Sequence, residues 1–139
     1  MSLRIDRMAL KSLHEHAKEG YPHEVVGILA GSRDTGHVQQ IKALFNERED
    51  SPANRYKVSG LTLMRAEQAL ESSGMQIVGY YHSHPDHPAQ YSDYDRDHAL
   101  PNMSYVITAV QNGDIVETLS WRLQEDRSCM TAQTIQIED

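Results

Sequence analysis

Apolar residues three or four positions apart predict two amphipathic helices in the first half of this chain. The first helix is expected to begin after Asp6, which is a common N-capping residue type, and to end at Gly20, just before Pro22. Its predicted buried face comprises Ala9, Leu13 and Ala17. The second helix is expected to begin at Ser59 and to end at residues 73–74. Its predicted buried face comprises Leu63, Ala66 and Leu70.

Short apolar runs between turn signals predict strands. The predicted strands are residues 25–30, 37–45, 76–81, 104–110 and 114–123, and a last strand around Ile135 and Ile137. Asn112-Gly113 is the strongest hairpin signal in the sequence. Loops are expected at residues 46–54 and 83–91, and Ser92 is expected to open a short helix that contains Asp95. We therefore expect one α/β domain over residues 1–139, with a mixed, mostly antiparallel sheet flanked by helices.

The composition narrows the functions that such a domain can have. The chain has 139 residues and a formal net charge of −7, and its 13 lysines and arginines are scattered. Since nucleic-acid binding depends on clustered cations, we expect no nucleic-acid partner. No apolar stretch approaches the roughly 18 residues of a membrane span, and residues 1–11 lack the pattern of a secretory signal. We therefore expect a cytoplasmic protein without a membrane partner, and the pattern carries no signal on its oligomeric state.

The candidate chemistry lies at the end of the predicted strand 76–81. Cys129 is the only cysteine, so an internal disulfide and a thiolate metal cage are both excluded. His82 and His84 are two residues apart, which directs both side chains to one side of an extended chain. Ten residues separate His84 from Asp95, enough for a loop to bring a carboxylate back. Two imidazoles and a carboxylate suit zinc, and the open fourth position would hold a water whose pKa is lowered to about 7.

The pattern alone leaves other assignments open. The region also contains His87 and His98, so the histidine pair is part of a generally histidine-rich segment. The carboxylates that compete with Asp95 for the third position are Asp86, Asp93 and Asp97. Ser92 has a plain alternative role as the N-cap of the short helix. Glu24, the candidate base, precedes the strand 25–30, and spacing alone favours a solvated carboxylate.

The complete pattern comprises Glu24 before the run GILAG at 27–31, then His82-Ser83-His84-Pro85, and then Ser92 three residues before Asp95. This pattern closely resembles the JAMM motif of MPN-domain (Mov34/PAD-1) metalloproteases. The later part of the chain, including residues 105–107 and 120–123, resembles their compact bacterial branch. The resemblance implies a single MPN (JAB)-like domain in which His82, His84 and Asp95 bind one zinc ion per chain. It also implies that Glu24 takes a proton from the attacking water and passes it to the leaving amine. Ser92 would donate a hydrogen bond to the oxyanion.

The resemblance also implies a class of substrate. The family contains deubiquitinating enzymes and small prokaryotic members linked to ubiquitin-like sulfur-carrier proteins that end in Gly-Gly. At this length the chain resembles the second group. We therefore expect a peptidase or isopeptidase that cleaves after the C-terminal glycine of a carrier adduct, with the tail extended along an exposed strand edge.

Two other functions remain as alternatives. One is a non-catalytic interaction module on the same fold, although such members have lost metal ligands that are all present here. The other is a zinc hydrolase of small-molecule amides. Its deaminase form is excluded because that signature needs a Cys-x-x-Cys pair.

Overall fold

The computed structural model describes residues 2–46 and 58–139, which form seven strands and three helices. In chain order these are β1 (Ser2–Asp6), α1 (Arg7–Gly20), β2 (Val26–Ser32), β3 (His37–Leu44), α2 (Gly60–Ser72), β4 (Gln76–Pro85), α3 (Asp93–His98), β5 (Ser104–Gln111), β6 (Asp114–Leu123) and β7 (Met130–Glu138). Apart from Asn46, the predicted loop at 46–54 lies outside the described residues.

The strands pair in the order β1-β3-β2-β4-β5-β6-β7, and β7 pairs again with β1, so that the sheet closes into a barrel. Four of these ladders are antiparallel and three are parallel, which confirms a mixed, mostly antiparallel sheet. The sequence pattern did not predict closure, because it did not reveal β1. This strand has only five residues, yet Leu3 and Ile5 are buried, and it links β3 to β7. The expectation of one domain over residues 1–139 stays a prediction.

The first two helices follow the predicted pattern. Along α1 the buried residues are Ala9, Leu13 and Ala17. Asp6 takes the N-cap position of α1, but its carboxylate binds His37 at 2.6 Å instead of capping the helix. Ser59 caps α2 by accepting a hydrogen bond from the Thr62 amide. Of the expected face of α2, Ala66 and Leu70 are buried and Leu63 is half-buried.

Strand β4 runs further than the sequence pattern indicated. The prediction that residues 83–85 belong to a loop is wrong, because β4 pairs with β5 in parallel from Gly79 as far as Pro85. On its other side, the ladder between β4 and β2 ends at the pair His82–Val26. His82 and His84 are therefore held within β4. They lie at the point where β4 loses its pairing with β2 but keeps its pairing with β5.

The remaining strands agree with their predictions. Asn112 and Gly113 both have positive φ, at 52° and 86°, as a tight hairpin between β5 and β6 requires. Beyond Val38, β3 pairs only with β2 among the described residues. Within the same described ranges, no helix combines the length and the apolar composition that a bilayer crossing requires.

Candidate metal centre

Three potential metal ligands meet between the end of β4 and the start of α3. The Nε2 atoms of His82 and His84 are 3.3 Å apart. The Asp95 carboxylate lies 3.2 Å from His82 Nε2 through Oδ1 and 3.6 Å from His84 Nε2 through Oδ2. A tetrahedral site with bonds of about 2.0 Å has donor–donor edges of about 3.3 Å. The three side chains are therefore spaced to bind one metal ion.

The hydrogen bonds of His84 set its ring in the form that a metal requires. His84 Nδ1 lies 2.8 Å from the carbonyl oxygen of Pro88. Since a carbonyl only accepts, Nδ1 must carry a proton and donate it, which makes Nε2 the nitrogen available to a metal once any proton that it shares with Asp95 has left. Pro88 lies in the loop between β4 and α3, so this loop fixes the orientation of the His84 ring.

The first turn of α3 positions Asp95. Ser92 is the N-cap, and its hydroxyl accepts from the Asp95 amide at 3.1 Å. Asp95 Oδ2 in turn accepts from the Ser92 amide at 2.9 Å, which completes a capping box. Burial acts to raise the pKa of Asp95, but hydrogen bonds from His82 and His84 hold it well below its usual range. The carboxylate is therefore ionised and oriented before any ion binds.

The competing carboxylates are engaged elsewhere. Asp86 accepts from the Tyr21 hydroxyl at 2.7 Å and from the Asn112 amide at 3.1 Å. The side chains of Asp93 and Asp97 are 87% and 61% exposed, and both pair with Arg96. In the part of the chain that the structure describes, one group of three histidine, cysteine or acidic residues has metal-site geometry, namely His82, His84 and Asp95.

Glu24 lies beside these residues and is only 5% exposed, in contrast to the solvated carboxylate that spacing alone favoured. Burial raises the pKa of Glu24 to about 7, and the nearby histidines, His82 and His84, oppose that rise. A carboxyl with a pKa near neutrality can both accept and release a proton at physiological pH. Such a perturbed group beside a cluster of ligands is typical of a catalytic site.

A cleft of about 410 Å³ opens onto the cluster. Its lining includes Glu24, His84, Ser92 and Asp95, together with Tyr91 and Tyr94. His82 lies deeper, at 2% exposure. Tyr94 also borders a second cavity of about 330 Å³, whose lining is mainly apolar and aromatic and includes Leu44 of β3. Tyr94 therefore lines both cavities.

Sequence reasoning missed several residues that hold the site together. Pro88 was seen only as a loop residue, although its carbonyl orients His84. Ser83 and Asn46 make hydrogen bonds to the main chain next to Glu24. The position of Ser83 between the two histidines could have indicated a role for it at the site. Nothing in the spacing distinguished Asn46 from its polar neighbours.

Comparison with known proteins matches residues 6–124 to the family described as prokaryotic homologs of the JAB domain. The chain is 35% identical over 105 residues to a probable TtuB-protein conjugate cleaving protease from Thermus thermophilus, covering 76% of this chain and 68% of that protein. It is 35% identical over 112 residues to a desampylase from Haloferax volcanii, covering 77% and 78%. A JAB1/MPN-domain protein from Archaeoglobus fulgidus has the same fold, with a TM-score of 0.63 at 19% identity and coverage of 99% and 98%. All five candidate site residues lie inside the matched range.

Proposed function

Since this chain belongs to the prokaryotic branch of the JAB-domain family, we propose that it is a zinc-dependent peptidase or isopeptidase acting on conjugates of ubiquitin-like proteins. It cleaves immediately after the C-terminal glycine of a sulfur-carrier protein, in the cytoplasm. The observation that carries the proposal is the convergence of Glu24 and Ser92 on a metal-ligand cluster in one cleft. Two relatives whose names specify cleavage of such conjugates, or desampylase activity, support the class of substrate.

His82, His84 and Asp95 would hold the zinc ion, one per chain. Among the described residues three protein donors meet here, and a tetrahedral zinc ion held by them would have one position left for water, as catalytic rather than structural zinc does. When bound, zinc supplies a Lewis acid that activates a water near neutral pH and polarises the scissile carbonyl. The same arrangement argues against a purely structural ion, for which a fourth protein ligand is usual.

Glu24 moves the proton. Its carboxylate accepts a proton from the attacking water and later donates that proton to the leaving amine. The buried position supports this role, because burial brings the pKa of Glu24 to about 7 and so makes both transfers feasible near neutral pH. Zinc would add positive charge nearby and draw that pKa downward, which favours the accepting form at the start of the cycle.

Ser92 stabilises the oxyanion while it also caps α3. A hydroxyl has one donor and two acceptor sites. The Asp95 amide uses one acceptor site, so the proton of the hydroxyl stays available for the carbonyl oxygen of the substrate. Capping and catalysis are therefore compatible in this residue, and the cap fixes the hydroxyl at the mouth of the cleft.

The extended tail of a carrier fits this surface. Glycine has no Cβ, so a Gly-Gly tail lets the scissile peptide approach the buried ligands closely. The edge of β3 beyond Val38, which pairs only with β2 among the described residues, offers main-chain groups for an added strand. Leu44 at the end of β3 borders the second cavity, which shares Tyr94 with the cleft.

A linear fusion tests the proposal. A sulfur-carrier protein ending in Gly-Gly is followed by a short peptide, and the products are identified by mass. Zinc-loaded protein is expected to release the carrier with a free C-terminal glycine. Glu24→Gln protein of equal zinc content is the matched control, and it is expected to cleave the same fusion far more slowly. Cleavage elsewhere, or no cleavage by the wild-type protein, would remove the proposal.

A second series of fusions tests the specificity. Replacing the penultimate glycine with a bulky residue is expected to lower kcat/KM far more than changing the residue after the scissile bond. Equal tolerance on both sides would remove the sulfur-carrier specificity and leave a zinc peptidase of another preference.

A further inference from the structure

Both polar atoms of the peptide group that follows Glu24 are bound by side chains. The carbonyl oxygen of Glu24 accepts from Asn46 Nδ2 at 3.0 Å. The amide of Val25 donates to Ser83 Oγ at 2.9 Å. This peptide group lies just before β2 begins, where the ladder to β4 has ended at Val26 and His82. Strand pairing therefore does not hold it, and two side chains do.

Ser83 replaces a missing bond of the ladder. Its own amide donates to the Val25 carbonyl at 3.1 Å, as one half of a regular antiparallel pair. In such a pair the reciprocal bond would join the Val25 amide to a main-chain carbonyl. Here the serine hydroxyl accepts instead, so the chain before β2 can leave β4 without a buried amide losing its partner. Ser83 is 1% exposed, so water does not compete for this contact.

We propose that Ser83 and Asn46 are positioning residues that clamp the Glu24–Val25 peptide group and thereby aim the Glu24 carboxylate at the metal centre. The inference rests on the proposed function, in which Glu24 is the proton carrier. When the carbonyl oxygen and the amide of this peptide group are both held, the backbone torsion ψ of Glu24 is fixed. The direction in which the Glu24 side chain leaves the backbone is then fixed as well. Because Ser83 lies between His82 and His84 on one strand, the position of the base is set relative to two ligands by a single residue.

The clamp predicts a specific kinetic defect. Ser83→Ala leaves the three ligands intact, so zinc content is expected to stay at one per chain. A catalytic group displaced by about 1 Å costs on the order of 10²-fold in rate, so kcat is expected to fall about tenfold to a hundredfold while KM changes little. Asn46→Ala is expected to act in the same direction, since it releases the other end of the same peptide group.

The matched control is Ser120→Ala. Ser120 is equally buried, at 1% exposure, and its hydroxyl donates to Gln133 at the same 2.9 Å, but it lies on β6, two strands from β4. It is expected to lower the melting temperature as Ser83→Ala does, without lowering kcat. An equal fall of kcat in both variants would reduce the effect to general destabilisation and overturn the proposal.

A double variant separates positioning from other effects. If Ser83 acts through Glu24, adding Ser83→Ala to Glu24→Gln should leave the residual rate of the single Glu24→Gln variant unchanged. Amide exchange measured by NMR on the metal-free protein gives a readout that needs no activity. Ser83→Ala should speed exchange of the Val25 amide at least tenfold and leave the Ile28 amide, inside the β2 ladders, as it was.

Each result has a defined reading. The clamp is refuted if Val25 exchange is unchanged, or if Ser83→Ala slows the Glu24→Gln variant by the same factor as the wild type. If the wild type cleaves the fusion and Ser83→Ala cleaves it at the same rate, the clamp is refuted and the proposed function is not. A wild-type protein with bound zinc and no cleavage of any carrier fusion refutes the proposed function and, with it, the role of the clamp.

Discussion

The buried carboxyl of Glu24 should make the stability of the metal-free protein depend on pH in a way that Glu24→Gln abolishes. Burial raises the pKa of Glu24 from 4.5 to about 7 in the folded state. Between those two values the folded chain keeps a proton that the unfolded chain has lost. The contribution to stability is therefore full below about pH 4.5 and is lost as pH rises through about 7.

The magnitude follows from the size of the shift. One pKa unit corresponds to 1.36 kcal/mol, so a rise from 4.5 to about 7 corresponds to about 3 kcal/mol. Glutamine has the same shape and does not titrate. Relative to Glu24→Gln, the metal-free wild type should therefore lose about 3 kcal/mol of unfolding free energy between pH 4.5 and pH 8.

Urea unfolding in the presence of a chelator measures this difference. Unfolding free energies of wild type and Glu24→Gln are compared at several pH values. Both proteins contain Asp95 and the histidines, so the contributions of these groups to the pH dependence largely cancel in the difference. Glu125→Gln, which makes the same substitution at an exposed position, is the matched control. Parallel curves for wild type and Glu24→Gln would refute the burial argument and weaken the assignment of Glu24 as the proton carrier.

Three further predictions follow from the same geometry. Glu24→Gln should retain zinc, measured by metal analysis, while turnover of a carrier fusion falls about 10²–10⁴-fold; loss of zinc would instead make Glu24 a ligand. Ser92→Ala should lower kcat about 10²–10³-fold by removing the oxyanion donor and should cost about 1 kcal/mol in denaturant unfolding by removing the α3 cap; a loss of stability without a loss of rate would leave Ser92 as a cap alone. Zinc binding at pH 7 should release about half a proton from Glu24, since its pKa is about 7 without metal and falls beside a cation; calorimetry in buffers of different ionisation enthalpy measures the release, and an unchanged value in Glu24→Gln would contradict it.

The elements that sequence patterns predicted well are those whose burial is decided locally. The helix α1 buries Ala9, Leu13 and Ala17 at the expected spacing, and Asn112-Gly113 forms the expected tight turn. In both cases a few neighbouring residues carry the whole signal. The extent of β4 could not be predicted in this way, because residues 83–85 are held by distant pairing with β5 and not by their own apolar pattern.

The residues of the candidate site show the same difference between features set by sequence neighbours and features set by distant contacts. The spacing of His82, His84 and Asp95 was visible in the chain and motivated their grouping, whereas the burial of Glu24 depends on the packing of segments far apart in sequence. The role of Asn46 was invisible for the same reason, since its contact with the Glu24 carbonyl joins residues 22 positions apart. Closure of the barrel likewise depends on the long-range pairing of β1 with β7. The five residues of β1 have only two apolar positions, which is too short a pattern to predict a strand.

Metal analysis of freshly purified protein tests the central claim most directly. Mass spectrometry under non-denaturing conditions, before and after dialysis against zinc, should find one zinc per chain in the wild type. His84→Ala should bind far less, because two remaining ligands hold the ion poorly. A wild-type protein that carries no transition metal and takes up no added zinc would contradict the account at its foundation.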